Sequence, residues 1–195
     1  MTRHAREQLI RALSQATGPS SDFDFGDSPQ VPVTPRPAGV LAAFDAADGR
    51  LILTKRASSL RHHPGQIALP GGKVDPSDAD VTAAALREAR EEIGLDPAQV
   101  EVLGTMPAHH TVTGFDMTPV LALVHGPFTP TPEAGEVEEV FTVPFSHIAD
   151  PANFRVTGRI WRGSRRNYYI APYGPYYIWG ATARVLHSLA LRLSA

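Results

Sequence analysis

The chain has no cysteine among its 195 residues. That absence excludes disulfides, thiolate nucleophiles and cysteine-based zinc sites, while leaving the redox compartment open. It also lacks any run of about 18 apolar residues, so no bilayer-spanning helix is expected. The opening "MTRHAREQLIRALSQATG" is too polar for a secretory signal, which makes a cytoplasmic location the default and a membrane partner unexpected. Charge is sparse and nearly balanced: charged residues make up 19% and the formal net charge is −2. No global positive field exists to hold a nucleic-acid backbone, so such binding would rest on a local patch. What is present is a 43% hydrophobic fraction, ordinary for a globular protein and too high for a largely disordered one. The length suits one domain, or one domain with a short extension, and no internal repeat is evident.

Within residues 3–15, Leu9, Ile10 and Leu13 recur at helical spacing, which predicts a short amphipathic helix. The stretch "GPSSDFDFGDSPQVPVTPRP" reads as an irregular connector, rich in residues that break regular structure. This divides the chain into a helix plus connector, residues 1–37, and a main domain, residues 38–195. "AGVLAAFDAADGRLILTKR" places two apolar runs around Asp48-Gly49, a hairpin signal. Further strands are expected at "QIALP", "VEVLGTM", "TPVLALVH" and "EVEEVFTVP", and helices from Asp80 to Ile93 and over "YYIWGATARVLHSLALRL". Many strands with two or three helices predict an α+β fold.

The helix from Asp80 carries the chemistry. At about 100° per residue, Glu88, Glu91 and Glu92 share an arc of about 100°, with Leu86, Ala89 and Ile93 on another face. Gly94 marks a left-handed stop and Pro97 discourages continuation. Three carboxylates in the last turn repel one another and oppose the helix dipole. Arg87, four residues before Glu91, relieves only about 0.2–0.5 kcal/mol. A hard divalent cation, Mg²⁺ or Mn²⁺, relieves much more, because it takes oxygen ligands and leaves positions for water and phosphate. A solvated acidic face is the competing interpretation. The "LPGGK" just upstream tips the balance, since paired glycines let a backbone turn tightly and approach a metal or phosphate.

Together these residues resemble the Nudix box of hydrolases that cut nucleoside diphosphates linked to another group. Gly72 matches its start, and Arg87, Glu88, Glu91, Glu92, Gly94 and Leu95 match its second half. Between them the chain departs from the pattern: Asp78 stands where the box has Glu, and eight residues instead of seven separate it from Arg87. Upstream, "LTKRASSLRHHPGQIALPGGKVDPSD" resembles the extended signature of the coenzyme A pyrophosphatase branch, in which the longer spacing is usual. "YYIWGATARVL" is similar to that branch's C-terminal segment.

The resemblance implies an α/β/α sandwich with a mixed central sheet, a small nucleotide substrate and metal-dependent cleavage of a pyrophosphate bond. It implies metal ligation by Glu88, Glu92 and Glu91, with the Gly72 carbonyl as a further ligand, and a supporting role for Arg87. For the general base it leaves Glu91 open beside Glu136, Glu138 and Glu139. Coenzyme A also bears a 3′-phosphate, for which Arg56 and Arg61 are the preferred contacts, with Lys73 and Lys55 nearby. His62 and His63, like His109 and His110, read as structural or exposed.

Residues 159–180 interleave arginines with tryptophans and tyrosines, a pattern that also stacks single-stranded nucleic acid. This keeps capped RNA, NADH and ADP-ribose open as substrates, and a non-catalytic nucleotide- or RNA-binding module open as a class. Core aromatics beside a solvated basic turn are the simpler interpretation. Oligomeric state is not legible.

Overall fold

The structure, a computed structural model, describes residues 3–15, 18–26, 34–161 and 164–195. In chain order the elements are α1 (Arg3–Ser14), β1 (Ser20–Ser21), β2 (Arg36–Asp45), β3 (Arg50–Arg56), β4 (Ile67–Ala68), β5 (Gly71–Lys73) and α2 (Val81–Ile93). There follow β6 (Val100–Thr105), β7 (His109–His110), β8 (Phe115–Val124), β9 (Val137–Pro144), α3 (Phe145–Ala149), β10 (Arg155–Trp161), β11 (Ser164–Ile170) and α4 (Gly180–Ser194). Among the described residues, β1 to β9 make one mixed sheet, and β10 with β11 makes a separate ribbon.

The sheet is organised around β2. It runs parallel to β8 over ten paired residues, Arg36 with Phe115 through Asp45 with Val124. The predicted hairpin is present, with Gly49 in the left-handed region at φ 75° and Phe44 opposite Leu51. Towards the other end of β2, the place beside Ala38, Gly39 and Val40 is taken by Lys73, Gly72 and Gly71 of β5. Strand β3 instead pairs antiparallel with β9 and β4.

Because side chains alternate along a strand, the apolar run "GVLAAF" in β2 supplies both faces. Val40, Ala42 and Phe44 join Leu51 and Leu53 in a cluster closed by Leu9 and Ala12 of α1, Ile148 of α3, and Ala183, Leu186 and Leu189 of α4. Leu41 and Ala43 join Val120 and Ala122 beneath Ala85, Ala89 and Ile93 of α2. The result is the expected sandwich, helices on both faces of a mixed sheet. In α1 the core-facing residues are Ala5, Leu9 and Ala12, whereas Ile10, expected on the apolar face, is 41% exposed.

Three further differences from the sequence expectation have local causes. The connector is not wholly irregular: Ser20 and Ser21 pair in parallel with His109 and His110. Buried His109 lies 2.9 Å from Ser20 Oγ through Nδ1 and 3.1 Å from Asp22 Oδ1 through Nε2. Residues 27–33 of that connector lie outside the described residues. The last helix begins at Gly180 and not near Tyr176, because Trp179 is extended (φ −152°) and bridges Ile170, while Tyr173 bridges Tyr176. Residues 155–161 and 164–170 pair as an antiparallel ribbon where a basic turn was expected. No helix of the described residues is long and apolar enough to cross a membrane.

Candidate active site

Helix α2 is started by the Asp80 carboxylate, which accepts from Ala83 N at 2.8 Å. It is stopped by Gly94 at φ 71°, as its place after the helix predicts. Its alanine stripe lets the helix lie almost on the sheet backbone. A Cβ placed on Gly39 would stand 2.0 Å from the Val81 carbonyl oxygen, and one on Gly72 would stand 2.5 Å from the Glu88 carboxylate. The paired glycines therefore do not make the tight turn that the sequence suggested. They run as strand β5, where the missing side chain of Gly72 makes room for Glu88 and that of Gly71 for the β2 backbone at Gly39 and Val40.

Glu92 is buried and its Oε2 accepts a hydrogen bond from Gly71 N at 3.1 Å. Burial pushes its pKa up to about 7, against the Gly71 bond and the charge of Arg56, with Glu88 and Glu136 adding to the rise. Glu88 is also raised, first by burial and then by Glu91 and Glu136, while Arg87 pulls it down. Two neighbouring acids thus lie where anionic charge is disfavoured unless a cation accompanies it. Among the described residues no three acidic or imidazole groups form a ready-made metal cage. Mg²⁺ and Mn²⁺ do not require one: a pair of carboxylates, water and substrate phosphate suffice. The hard oxygens of Glu88 and Glu92 fit such an ion.

Arg87 ties the site together. Its Nε and Nη2 donate to the two oxygens of Asp78 at 3.0 Å each, a fork-to-fork pair. Its Nη1 reaches Glu88 and Glu91, both at 3.0 Å, and Nη2 reaches the Lys73 carbonyl at 3.2 Å. Asp78 is itself held in a turn by Asp75 N at 2.8 Å. The Arg87 bond, followed by the Asp75 backbone bond, lowers its pKa. The residue that departs from the box pattern is therefore the anchor that orients Arg87. Asp78→Ala is expected to lower activity about 10- to 100-fold, the usual cost of losing an orienting partner. A metal titration of activity checks it, and unchanged activity would remove Asp78 from the site.

The remaining predicted residues separate into near and far. Arg56, at the end of β3, adjoins Glu136, whose carbonyl accepts from Ala57 N at 2.9 Å. Both of their charges act on Glu92. Glu91 is exposed, with 59% of its side chain accessible. Lys73 is exposed and lies 3.5 Å from Asp75. Glu138 is engaged by Lys55 and Ser58, and Glu139 accepts from the Tyr176 hydroxyl at 2.5 Å. Arg61, His62 and His63 are exposed on the loop of residues 57–66, with His63 at φ 53°. The sequence reading missed Gly39 and the Gly71 amide, because neither carries a side chain to signal its role.

An acidic helix seated on a glycine strand of a mixed sheet defines a Nudix domain, and residues 35–160 match the NUDIX domain family. The chain belongs to that family. It is 41% identical over 143 residues to a protein of Enterobacter sp. (strain 638) named "Uncharacterized Nudix hydrolase NudL", covering 73% of this chain and 74% of that one. A protein of the same name from Salmonella paratyphi B is 40% identical over the same coverage. Among solved structures, the MutT protein from Methanosarcina mazei Go1 is similar at a TM-score of 0.49 and 20% identity, covering 60% of this chain and 83% of that one.

Proposed function

We propose that the protein hydrolyses the pyrophosphate bond of coenzyme A or its derivatives, giving 3′,5′-ADP and 4′-phosphopantetheine. The observation that carries this reading is the Glu88–Glu92 pair over β5, with Glu92 bonded by Gly71 N and Glu88 by Arg87, itself forked onto Asp78. The coenzyme A branch is supported by the same fork, since it uses the Asp78 and the longer spacing that set this chain apart from the general box.

A divalent metal bound there would neutralise the diphosphate and activate water for attack on phosphorus. Glu88 and Glu92 would hold it, with Gly72 available through its carbonyl. Of the four acids considered as base, Glu138 and Glu139 are engaged elsewhere and Glu91 is paired with Arg87. Glu136, whose charge acts on both Glu88 and Glu92, is the group we assign to take the proton of the attacking water.

Incubation with coenzyme A and Mg²⁺ or Mn²⁺, with products identified by mass, tests the assignment. Both products should appear and chelator should abolish them. Intact coenzyme A alongside cleavage of NADH, ADP-ribose or capped RNA would keep the hydrolase and reject the branch. For the 3′-phosphate, Arg56→Ala or Arg61→Ala should raise KM for coenzyme A about tenfold more than for dephospho-coenzyme A, the scale of one charge-assisted contact. Equal losses on the two substrates would rule that contact out.

A further inference from the structure

The ribbon β10–β11 and the segment before α4 bring together side chains that the proposed chemistry does not use. The Arg159 guanidinium lies 5.0 Å from the Trp179 ring centroid and 5.9 Å from that of Tyr168. The two rings meet edge to face, 5.5 Å apart at 64°. Beside them Tyr177 is 48% exposed, and its hydroxyl pKa is raised by partial burial and then by a bond with Tyr168. Arg159 is exposed. An exposed guanidinium within cation–π reach of aromatic rings is also a good stacking partner for a further heteroaromatic ring.

This cluster stands at the edge of the active site. The Thr182 hydroxyl donates to the Ile67 carbonyl at 3.0 Å, fixing the start of α4, and hence Trp179, to the strand that follows the loop of residues 57–66. Tyr176 stacks on Phe141 of β9 at 3.5 Å and bonds Glu139, which pairs in register with Lys55, the neighbour of Arg56. The His63 pKa is lowered by partial desolvation and then by the charges of Arg56, His62 and Arg159, so the charge of Arg159 reaches that same loop. The cluster is thus offset from Glu88 and Glu92 towards the cationic loop, where the nucleotide half of a diphosphate substrate would extend.

We propose that Arg159, Tyr168, Tyr177 and Trp179 form a stacking subsite for the nucleobase of the substrate. The inference rests on the reading of the site as one for an adenine nucleotide diphosphate and deepens it. Arg159 supplies an exposed cationic group and Tyr177 a half-exposed aromatic ring beside it. Tyr168 and Trp179 lie within cation–π reach of that guanidinium. The subsite selects for a base without touching the scissile bond, so its loss weakens binding and leaves the chemical step alone.

Direct binding separates this subsite from the identity of the substrate. AMP and ribose 5-phosphate, which share the phosphate and differ by the base, are titrated calorimetrically into the full chain with Mg²⁺ present. AMP should bind at least about fivefold more tightly, and Arg159→Ala should weaken AMP about 5- to 100-fold, the range of one stacking contact, while leaving ribose 5-phosphate unchanged. In turnover, the same variant should raise KM with kcat intact. Equal binding of the two probes by the unsubstituted protein would overturn the subsite. Unchanged AMP affinity in the variant would overturn it too, and equal weakening of both probes would make Arg159 a phosphate contact instead. Tyr177→Ala, also at an exposed position, should reproduce the AMP loss, and failure to do so takes Tyr177 out of the subsite. If coenzyme A is not cleaved while the AMP contrast holds, the substrate assignment falls and the subsite stands. Cleavage of coenzyme A without that contrast gives the reverse.

Discussion

Glu92→Gln is expected to lower turnover by about two to three orders of magnitude, because one metal ligand supplies several kcal/mol of charge stabilisation in the transition state. The same change is expected to make the metal-free protein more stable at alkaline pH. Glu92 has a pKa of about 7 in the folded chain, against an ordinary value of 4.5. Between those values the folded state keeps a proton that the unfolded state has released. Stability is therefore fully present below about pH 4.5, declines as pH rises through 7, and levels off above it. The loss is up to about 3 kcal/mol at 1.36 kcal/mol per pKa unit. A glutamine retains the acceptor for Gly71 N and has no charge to desolvate. In chelator at pH 8 the variant should melt higher by up to roughly 6–12 °C, and the gap should close near pH 5. Equal melting at pH 8 would contradict a buried anion, and undiminished turnover would dismiss Glu92 as a ligand.

Gly39→Ala is expected to be strongly destabilising. Its Cβ would stand 2.0 Å from the Val81 carbonyl oxygen and 3.1 Å from Ala85 N, both backbone atoms of α2 that no rotamer change can move. The helix must lift from β2, which loosens the packing of Ala85 and Ala89 and draws Glu88 and Glu92 away from β5. A loss of about 3 kcal/mol or more follows, at the upper end of the cost of overpacking. Gly18→Ala, with nothing within 4 Å of the new carbon, serves as the neutral control in thermal denaturation. A Gly39 variant as stable as that control would mean that α2 sits further from the sheet than described.

The sandwich was legible because its signals are local. The unbroken apolar run of β2 announces a strand buried on both faces, and α2 carries its own start and stop in Asp80 and Gly94. The shared face of the three α2 carboxylates was legible from helical spacing, whereas Gly72 was singled out by the resemblance to the box. What escaped depends on distant partners. Strand β5 has glycines where periodicity would otherwise show, and its identity comes from pairing with β2. The ribbon sets Arg159 opposite Arg166 and Gly158 opposite Asn167, so no apolar alternation marks it. The start of α4 is decided by the bridge between Ile170 and Trp179. The purpose of Asp78 became visible only once the Asp75 turn had carried it back to Arg87, nine positions along the chain.

The two faces of the sheet also divide the labour of the molecule. One lies under α2 and holds the acids; the other is sealed by α1, α3 and α4. Of those three covers, only α3 falls inside the residues shared with the family, 35–160. Trimming the chain to that shared stretch would retain Glu88, Glu92, Arg87 and Asp78 yet lay bare Phe44, Leu51 and Leu53 on the opposite side. The segment that holds the candidate site thus leans on two flanking helices that supply none of its side chains.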